Sequence, residues 1–324
     1  MILAGDVGGT KTLIGLFEVY KRRPVPVDVR TFQTTAYPGL PAIISEFFAA
    51  QAVRPELTAA AFGVAGPVIN QSAKMTNVPW AVDAAEIARV FHLPRVQLLN
   101  DLESMAYSLP VLLPDELKTL QSGTDHTEGT VALIAAGTGL GQALLHHVGD
   151  REFAIPSEGG HSDFAARTER EMAFAQFLRE RYGRSEIEHV LSGPGLLNLS
   201  TFTHLGAACE AMDKPGAIPD TPAAVGANAL ANKCTRCVEA LQMFVSAYGA
   251  AAGNLALTAM ATGGVFVGGG IAPRILPALE NGAFIQAFSA KGPMRSLLEA
   301  VPVHVILNPG SALLGAAVCA NAAS

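Results

Sequence analysis

Gly5-Asp-Val-Gly-Gly-Thr-Lys-Thr12 lies one residue away from the phosphate-binding pattern G-x-x-x-x-G-K-[ST], with Thr10 where that pattern needs its last glycine. The pattern works because a helix starts directly after it and turns its free N–H groups toward phosphate. Here Lys11 is followed by Thr12-Leu-Ile-Gly-Leu-Phe-Glu-Val19, whose branched and aromatic residues predict a strand. The element is therefore strand, tight turn, strand. A carboxylate beside a phosphate repels it unless a cation lies between them, so Asp6 implies bound Mg2+. Gly8 and Gly9 let backbone approach a polyphosphate, and Thr10 adds a hydroxyl.

Four other places carry chemistry-bearing residues. Asn100-Asp101 closes an apolar run, where open α/β sheets place their ligands, and a carboxylate there is able to deprotonate a hydroxyl nucleophile. The competing role for the pair is to cap the following helix. Glu158-Gly-Gly-His161 sets a carboxylate and an imidazole on a glycine bend, which suits hydrogen bonding to a polyol better than the i, i+4 geometry of a metal pair. Glu188 is a further acceptor. Gly268-Gly269-Gly270 could let a flat ring lie against backbone, as an adenine would, although a tight strand-to-helix connection explains the run equally.

The elements that must hold these residues read as α/β. "VALIAAGTGLGQALL" (131–145) repeats the first plan: apolar strand, Gly137-Thr138-Gly139 turn, apolar strand. Two such hairpins suggest two related halves, each offering a phosphate-facing turn. Further strands are expected over 25–35, 57–65, 95–101, after 263 and near 301–307. Helices are expected over 41–51, 83–91, 165–183, 194–212, 226–262 and after Asn308-Pro309-Gly310.

Composition narrows the class. The chain has 324 residues, 50% hydrophobic and 15% charged, with a formal net charge of −6, which argues against a nucleic-acid partner. Residues 240–273 carry no charge, but glycines interrupt them, so a buried helix, a turn and a strand are expected rather than a membrane span. No signal peptide is expected, and a cytoplasmic location is. The four cysteines do not form a disulfide framework; Cys234-Thr-Arg-Cys237 is read as structural, because no second pair or nearby histidine completes a metal set.

Taken in order, Asp6-Val-Gly-Gly-Thr10, "MTNVPW" (75–80), "LLND" (98–101), "AAGTGLG" (135–141), "SEGGHSDFA" (157–165), "LSGPGL" (191–196) and "GGGIAPR" (268–274) resemble the bacterial glucokinase family, within the hexokinase, actin and Hsp70 superfamily. The resemblance implies a two-domain ribonuclease H-like (actin-like ATPase) α/β fold with an active-site cleft between the domains. Expected boundaries are 1–110 plus about 305–324 for a small domain and 111–304 for a large one. It implies ATP-dependent phosphorylation of glucose to glucose 6-phosphate, with Asp101 as general base and Asn100 as its sugar-binding neighbour. Glu158, His161 and Glu188 would bind other hydroxyls, with Asn77 in the sugar-site loop. Asp6, Gly8, Gly9 and Thr10 would form the first phosphate loop, Gly137, Thr138 and Gly139 the second, and Gly269 and Gly270 would border adenosine. Mg2+ would be held by Asp6 through water, and the chain would form a homodimer. Lys11 departs from the family, where asparagine is common. The alternatives are a kinase for fructose, mannose or an N-acetylated amino sugar, and a non-kinase ATPase of the actin or Hsp70 type.

Overall fold

A computed structural model describes residues 1–324 apart from 52–54, 76–77, 125, 127, 150, 213–215 and 323–324. The expected sugar-loop residue Asn77 lies outside the described residues. The chain divides into two units, Met1–Leu113 with Val148–Pro156 and Asn308–Ser324, and Pro114–His147 with Ser157–Leu307.

In the first unit β1 (Ile2–Val7) and β2 (Lys11–Tyr20) form the hairpin expected from their composition, and β3 (Arg23–Gln33) extends it. After α1 (Leu40–Ala49), β4 (Ala59–Val64) runs parallel to β1. The short strands β5 (Val68–Ile69), β6 (Ser72–Lys74) and β7 (Ala81–Asp83) make a separate sheet. Then follow α2 (Ala84–Phe91), β8 (Val96–Asn100), parallel to β4, and α3 (Asp101–Ser108), giving the order β3-β2-β1-β4-β8.

Every residue of β4 is buried, because helices cover both faces of this sheet. Its side chains alternate accordingly. Ala60, Phe62 and Val64 join Leu40, Ile43 and Phe47 of α1, whereas the smaller Ala59 and Ala61 face Leu313, Ala316 and Ala317 of the C-terminal helix.

The second unit holds β9 (Leu117–Gln121), β10 (Val131–Ala136) and β11 (Leu140–Val148); β12 (Arg151–Ser157) falls largely in the first. The chain continues through α4 (Glu169–Tyr182), α5 (Gly193–His204), α6 (Pro222–Leu230), α7 (Thr235–Ala259) and β13 (Gly264–Gly268). Three short helices, α8 (Leu276–Leu279), α9 (Ala283–Ser289) and α10 (Arg295–Glu299), lead to β14 (Val303–Ile306), and α11 (Ser311–Ala322) returns to the first unit. The strands run β11-β10-β13-β14-β9, with β10, β13 and β14 parallel.

The uncharged stretch is the buried part of α7 followed by β13. Its glycines serve packing: a Cβ at Gly249 would stand 2.0 Å from the Phe284 carbonyl oxygen of α9. Among the described residues no helix is long and apolar enough to cross a membrane.

Three expectations need correction. The helix expected over 194–212 stops at His204, with Leu205 in the left-handed region at φ 36° and Gly206 following at φ 81°. The helix expected over 226–262 is two helices, parted where Asn232 takes φ 52° and Cys234 becomes the N-cap of α7. The cysteines are not scattered in space. Because α5 ends beside the start of α7, His204 and Cys209 come to Cys234 and Cys237, and a histidine does complete the set.

Candidate functional site

In the first unit, strand register assembles the chemistry. Asp6 pairs with Gly63, and Gly63 with Leu99, so Asp6, the end of β4 and Asn100-Asp101 share the carboxyl edge of three parallel strands. Asp6 is half-buried. That burial, followed by repulsion from Asp101, pushes its carboxyl up to about 6. Two acidic groups therefore face the same space.

Capping of α3 falls to Asn100. Its Oδ1 accepts from Leu102 N at 2.9 Å and Glu103 N at 3.4 Å, while Glu103 Oε2 accepts from Asn100 N at 3.1 Å. This is a complete capping box, and Asn100 Nδ2 also donates to Gly66 O. Asp101 Oδ1 takes the Leu102 N–H at 2.9 Å, which orients its carboxylate at the first turn. Ser104 Oγ donates to Ala312 O at 2.8 Å and ties α3 to α11.

The turn between β1 and β2 is braced from below. Gly8 N donates to Lys11 O, Thr34 Oγ1 donates to Gly8 O at 2.8 Å, and Thr34 N donates to Thr10 O. Thr10 and Lys11 remain exposed.

In the second unit the turn at Gly137-Thr138-Gly139 occupies the corresponding place. Gly137 N donates to Gly139 O, Gly193 N at the start of α5 donates to Gly137 O, and Thr138 is exposed. Glu188 Oε2 accepts from Leu140 N at 2.8 Å, and a Cβ at Gly139 would stand 2.5 Å from that same oxygen. Glu188 thus pins the turn, a role its sequence position did not reveal.

Tyr248 of α7 locks the neighbouring strands, its hydroxyl accepting from Ala136 N at 3.1 Å and lying 3.3 Å from the Ile134 and Gly268 carbonyls. Gly269 has φ 83°, and a Cβ there would sit 2.2 Å from Ala136 O, whereas Gly270 opens onto space. Since Ala135 pairs with Gly268, the two glycine turns lie side by side at the strand ends.

Glu158 and His161 are exposed on their bend. The bend is pressed so close to β11 that a Cβ at Gly160 would meet Leu140 O at 2.0 Å. His161 Nδ1 lies 3.4 Å from Glu186 Oε1, and His161, Glu186 and Glu188 bring their polar atoms within 4.8 Å of one another. Glu186 was missed; the alternation Glu186-Ile-Glu188, which turns two carboxylates to one side, is the signal that offered it. It also faces His189 Nε2 at 3.3 Å. A cavity of about 320 Å3 opens beside the bend, lined by Gln142, Ser157, Gly159, Phe164, Arg167 and Asn254, and none of the expected sugar ligands lines it.

The family profile "Glucokinase" matches residues 3–323 of this chain. A glucokinase from Trichormus variabilis is 38% identical, with 99% of this chain and 98% of the relative aligned. The crystal structure of a glucokinase from an Antarctic psychrotroph superposes with a TM-score of 0.87 at 29% identity, covering 99% of this chain and 98% of that one. The crystal structure of the Balamuthia mandrillaris glucokinase in complex with glucose superposes with a TM-score of 0.81 at 19% identity, covering 99% and 93%, and shows likeness of fold.

Proposed function

The chain belongs to the glucokinase family, and we propose that it transfers the γ-phosphoryl group of ATP to the 6-hydroxyl of glucose with Asp101 as general base. The observation that carries this assignment of the base is the meeting of Asp6 and Asp101 at one strand edge, with helix capping already supplied by Asn100.

Asp101 would take the proton of the 6-hydroxyl as that oxygen attacks, its carboxylate held in place by the Leu102 N–H. Asn100 and, by resemblance, Asn77 would bind the sugar. Glu158, His161 and the second oxygen of Glu188 would bind other hydroxyls. These acceptors and donors reject ligands that lack the matching hydroxyls. Backbone N–H groups around Gly8, Gly9 and Thr10, and around Gly137, Thr138 and Gly139, would face the phosphates, where charge spreads over oxygen during transfer. Gly269 and Gly270 would border the adenosine.

The donor set fits Mg2+: carboxylate oxygens suit a hard cation, and the raised Asp6 carboxyl marks a place where added positive charge relieves repulsion. Asp6 would hold the ion through water, and the ion supplies charge neutralisation along the triphosphate. In this reading the two units are the domains of a ribonuclease H-like ATPase fold. Its support is the repeated strand order, β2-β1-β4-β8 in one unit and β11-β10-β13-β14 in the other. A cytoplasmic homodimer completes the reading, on resemblance alone.

A coupled ADP-release assay with glucose, fructose, mannose and N-acetylglucosamine, each with ATP, ADP or polyphosphate as donor, tests it. Glucose with ATP should give the highest kcat/KM. Another sugar ahead of glucose would reassign the substrate, and ATP turnover independent of sugar would leave only an ATPase.

A further inference from the structure

The cluster at the junction of α5 and α7 takes no part in the chemistry above. His204 is the last residue of α5, Cys234 is the N-cap of α7, Cys237 lies in its first turn, and Cys209 sits on the segment between α5 and α6. All four are buried, and their ligand atoms lie within 4.8 Å of one another.

We propose that His204, Cys209, Cys234 and Cys237 form a structural zinc site. Tetrahedral zinc, with sulfur at about 2.3 Å and nitrogen at about 2.0–2.1 Å, sets S···S at about 3.8 Å and S···N at about 3.6 Å. Cys209 Sγ stands 3.8 Å from Cys237 Sγ, and Cys234 Sγ stands 3.5 Å from His204 Nε2. The donor set of three thiolates and one imidazole belongs to closed, four-coordinate zinc sites and leaves no position for water or substrate.

The surroundings are arranged for such an ion. His204 Nδ1 donates to Ser200 O at 2.6 Å, which fixes the tautomer and turns the Nε2 lone pair toward the sulfurs. The Ala211 N–H points at Cys209 Sγ, and the Cys237 and Glu210 N–H groups point at Cys234 Sγ. These donors offset the net negative charge left when three thiol protons pass to solvent and a dication binds. Cys209 is itself held, its N–H donating to Ala217 O at 2.8 Å. Glu210 accepts from Thr235 N at 3.1 Å and Thr235 Oγ1 at 2.8 Å, which fastens the connection to the first turn of α7. The ion would tie the end of α5 to the start of α7. Further along, these helices carry the Gly193 contact to Gly137 and the Tyr248 lock on β10 and β13.

The test uses the full chain, expressed with added zinc and purified under reductant without chelator. Elemental analysis should find about one zinc per chain, and cobalt exchanged into the wild type should give the strong visible bands of a tetrahedral thiolate site. Cys237→Ser and His204→Ala should each lower bound zinc by at least about tenfold. Cys319→Ser, at a buried cysteine on α11, should keep it. Zinc content is independent of turnover, so it stands or falls apart from the sugar-kinase reading. Should the ligand variants fail to fold, wild type treated with a chelator under reductant should melt at lower temperature and recover with zinc. A wild type that holds no zinc after incubation with it overturns the site. So does zinc retained by both ligand variants, or a Cys209–Cys237 disulfide in freshly isolated protein.

Discussion

The two glycine hairpins follow one plan and handle charge differently. In each, an antiparallel pair closes through a glycine turn, and a parallel strand lies on the other side of the first strand. Alignment of the turns sets Asp6 against Ala135 and Gly8 against Gly137. The first hairpin ends in a carboxylate that faces a second carboxylate; the second ends in alanine and is held by a glutamate bound to its backbone. On the proposed function, this repeated plan would divide the labour, with the first hairpin managing metal and proton while the second presents neutral N–H groups.

The largest effect that would break this division is at Asp101. Asp101→Asn keeps the size and the acceptor for Leu102 N but removes the carboxylate proposed as base, so kcat for glucose phosphorylation should fall at least about a hundredfold. Near-normal kcat in the purified variant would return the proton transfer to another group.

Asp6 comes next. Asp6→Asn should raise the KM for Mg2+-ATP by roughly 10–100-fold, the range for an outer-sphere metal partner. Stability should move the other way. A carboxyl raised to about 6 binds more protons folded than unfolded between about pH 4 and 6, so stability falls as pH rises through that window and stays lowered above it. The variant escapes this and should gain up to about 3 kcal/mol at pH 7 in urea denaturation, with no gain below about pH 4. A gain equal at both pH values would show that the effect is not ionisation.

For the second hairpin, Glu188→Ala leaves the buried Leu140 N–H without its acceptor and should destabilise by about 1–3 kcal/mol, measured by denaturant midpoint. Glu188→Gln keeps an acceptor and should recover most of that stability while still raising the KM for glucose. If both variants weaken stability equally, the charge rather than the hydrogen bond holds the turn.

What the sequence disclosed followed from how local the physics is. Both hairpins were legible because strand composition and glycine turns act within about ten residues. The competition between capping and catalysis at 100–101 was legible as a question, and side-chain geometry gives the capping to Asn100. Glu186 was legible only in its alternation with Glu188, and the pinning role of Glu188 was not legible, since it depends on the Leu140 N–H that β11 brings near. The His204 cluster escaped for the same reason: its partners are 28 residues apart along the chain at Cys209 and Cys237, and only the packing of α5 on α7 unites them. The break before α7 was hidden because no glycine or proline marks residues 231–237, and Cys234 caps the helix without a side-chain hydrogen bond.

The finest comparison sets two glycines of the second unit against each other. At Gly269 the backbone itself demands glycine, through φ 83° and the nearby Ala136 carbonyl, so Gly269→Ala should destabilise by about 1–3 kcal/mol. At Gly137 a Cβ would meet nothing within 4 Å, so the fold gives no reason for glycine there. Gly137→Ala should leave stability within about 0.5 kcal/mol. If triphosphate lies against that backbone, the same methyl group occupies its place, and the KM for ATP should rise while the denaturation midpoint stays still. An unchanged KM would mean that the open face of Gly137 looks onto solvent, and that the phosphates are held by the first hairpin alone.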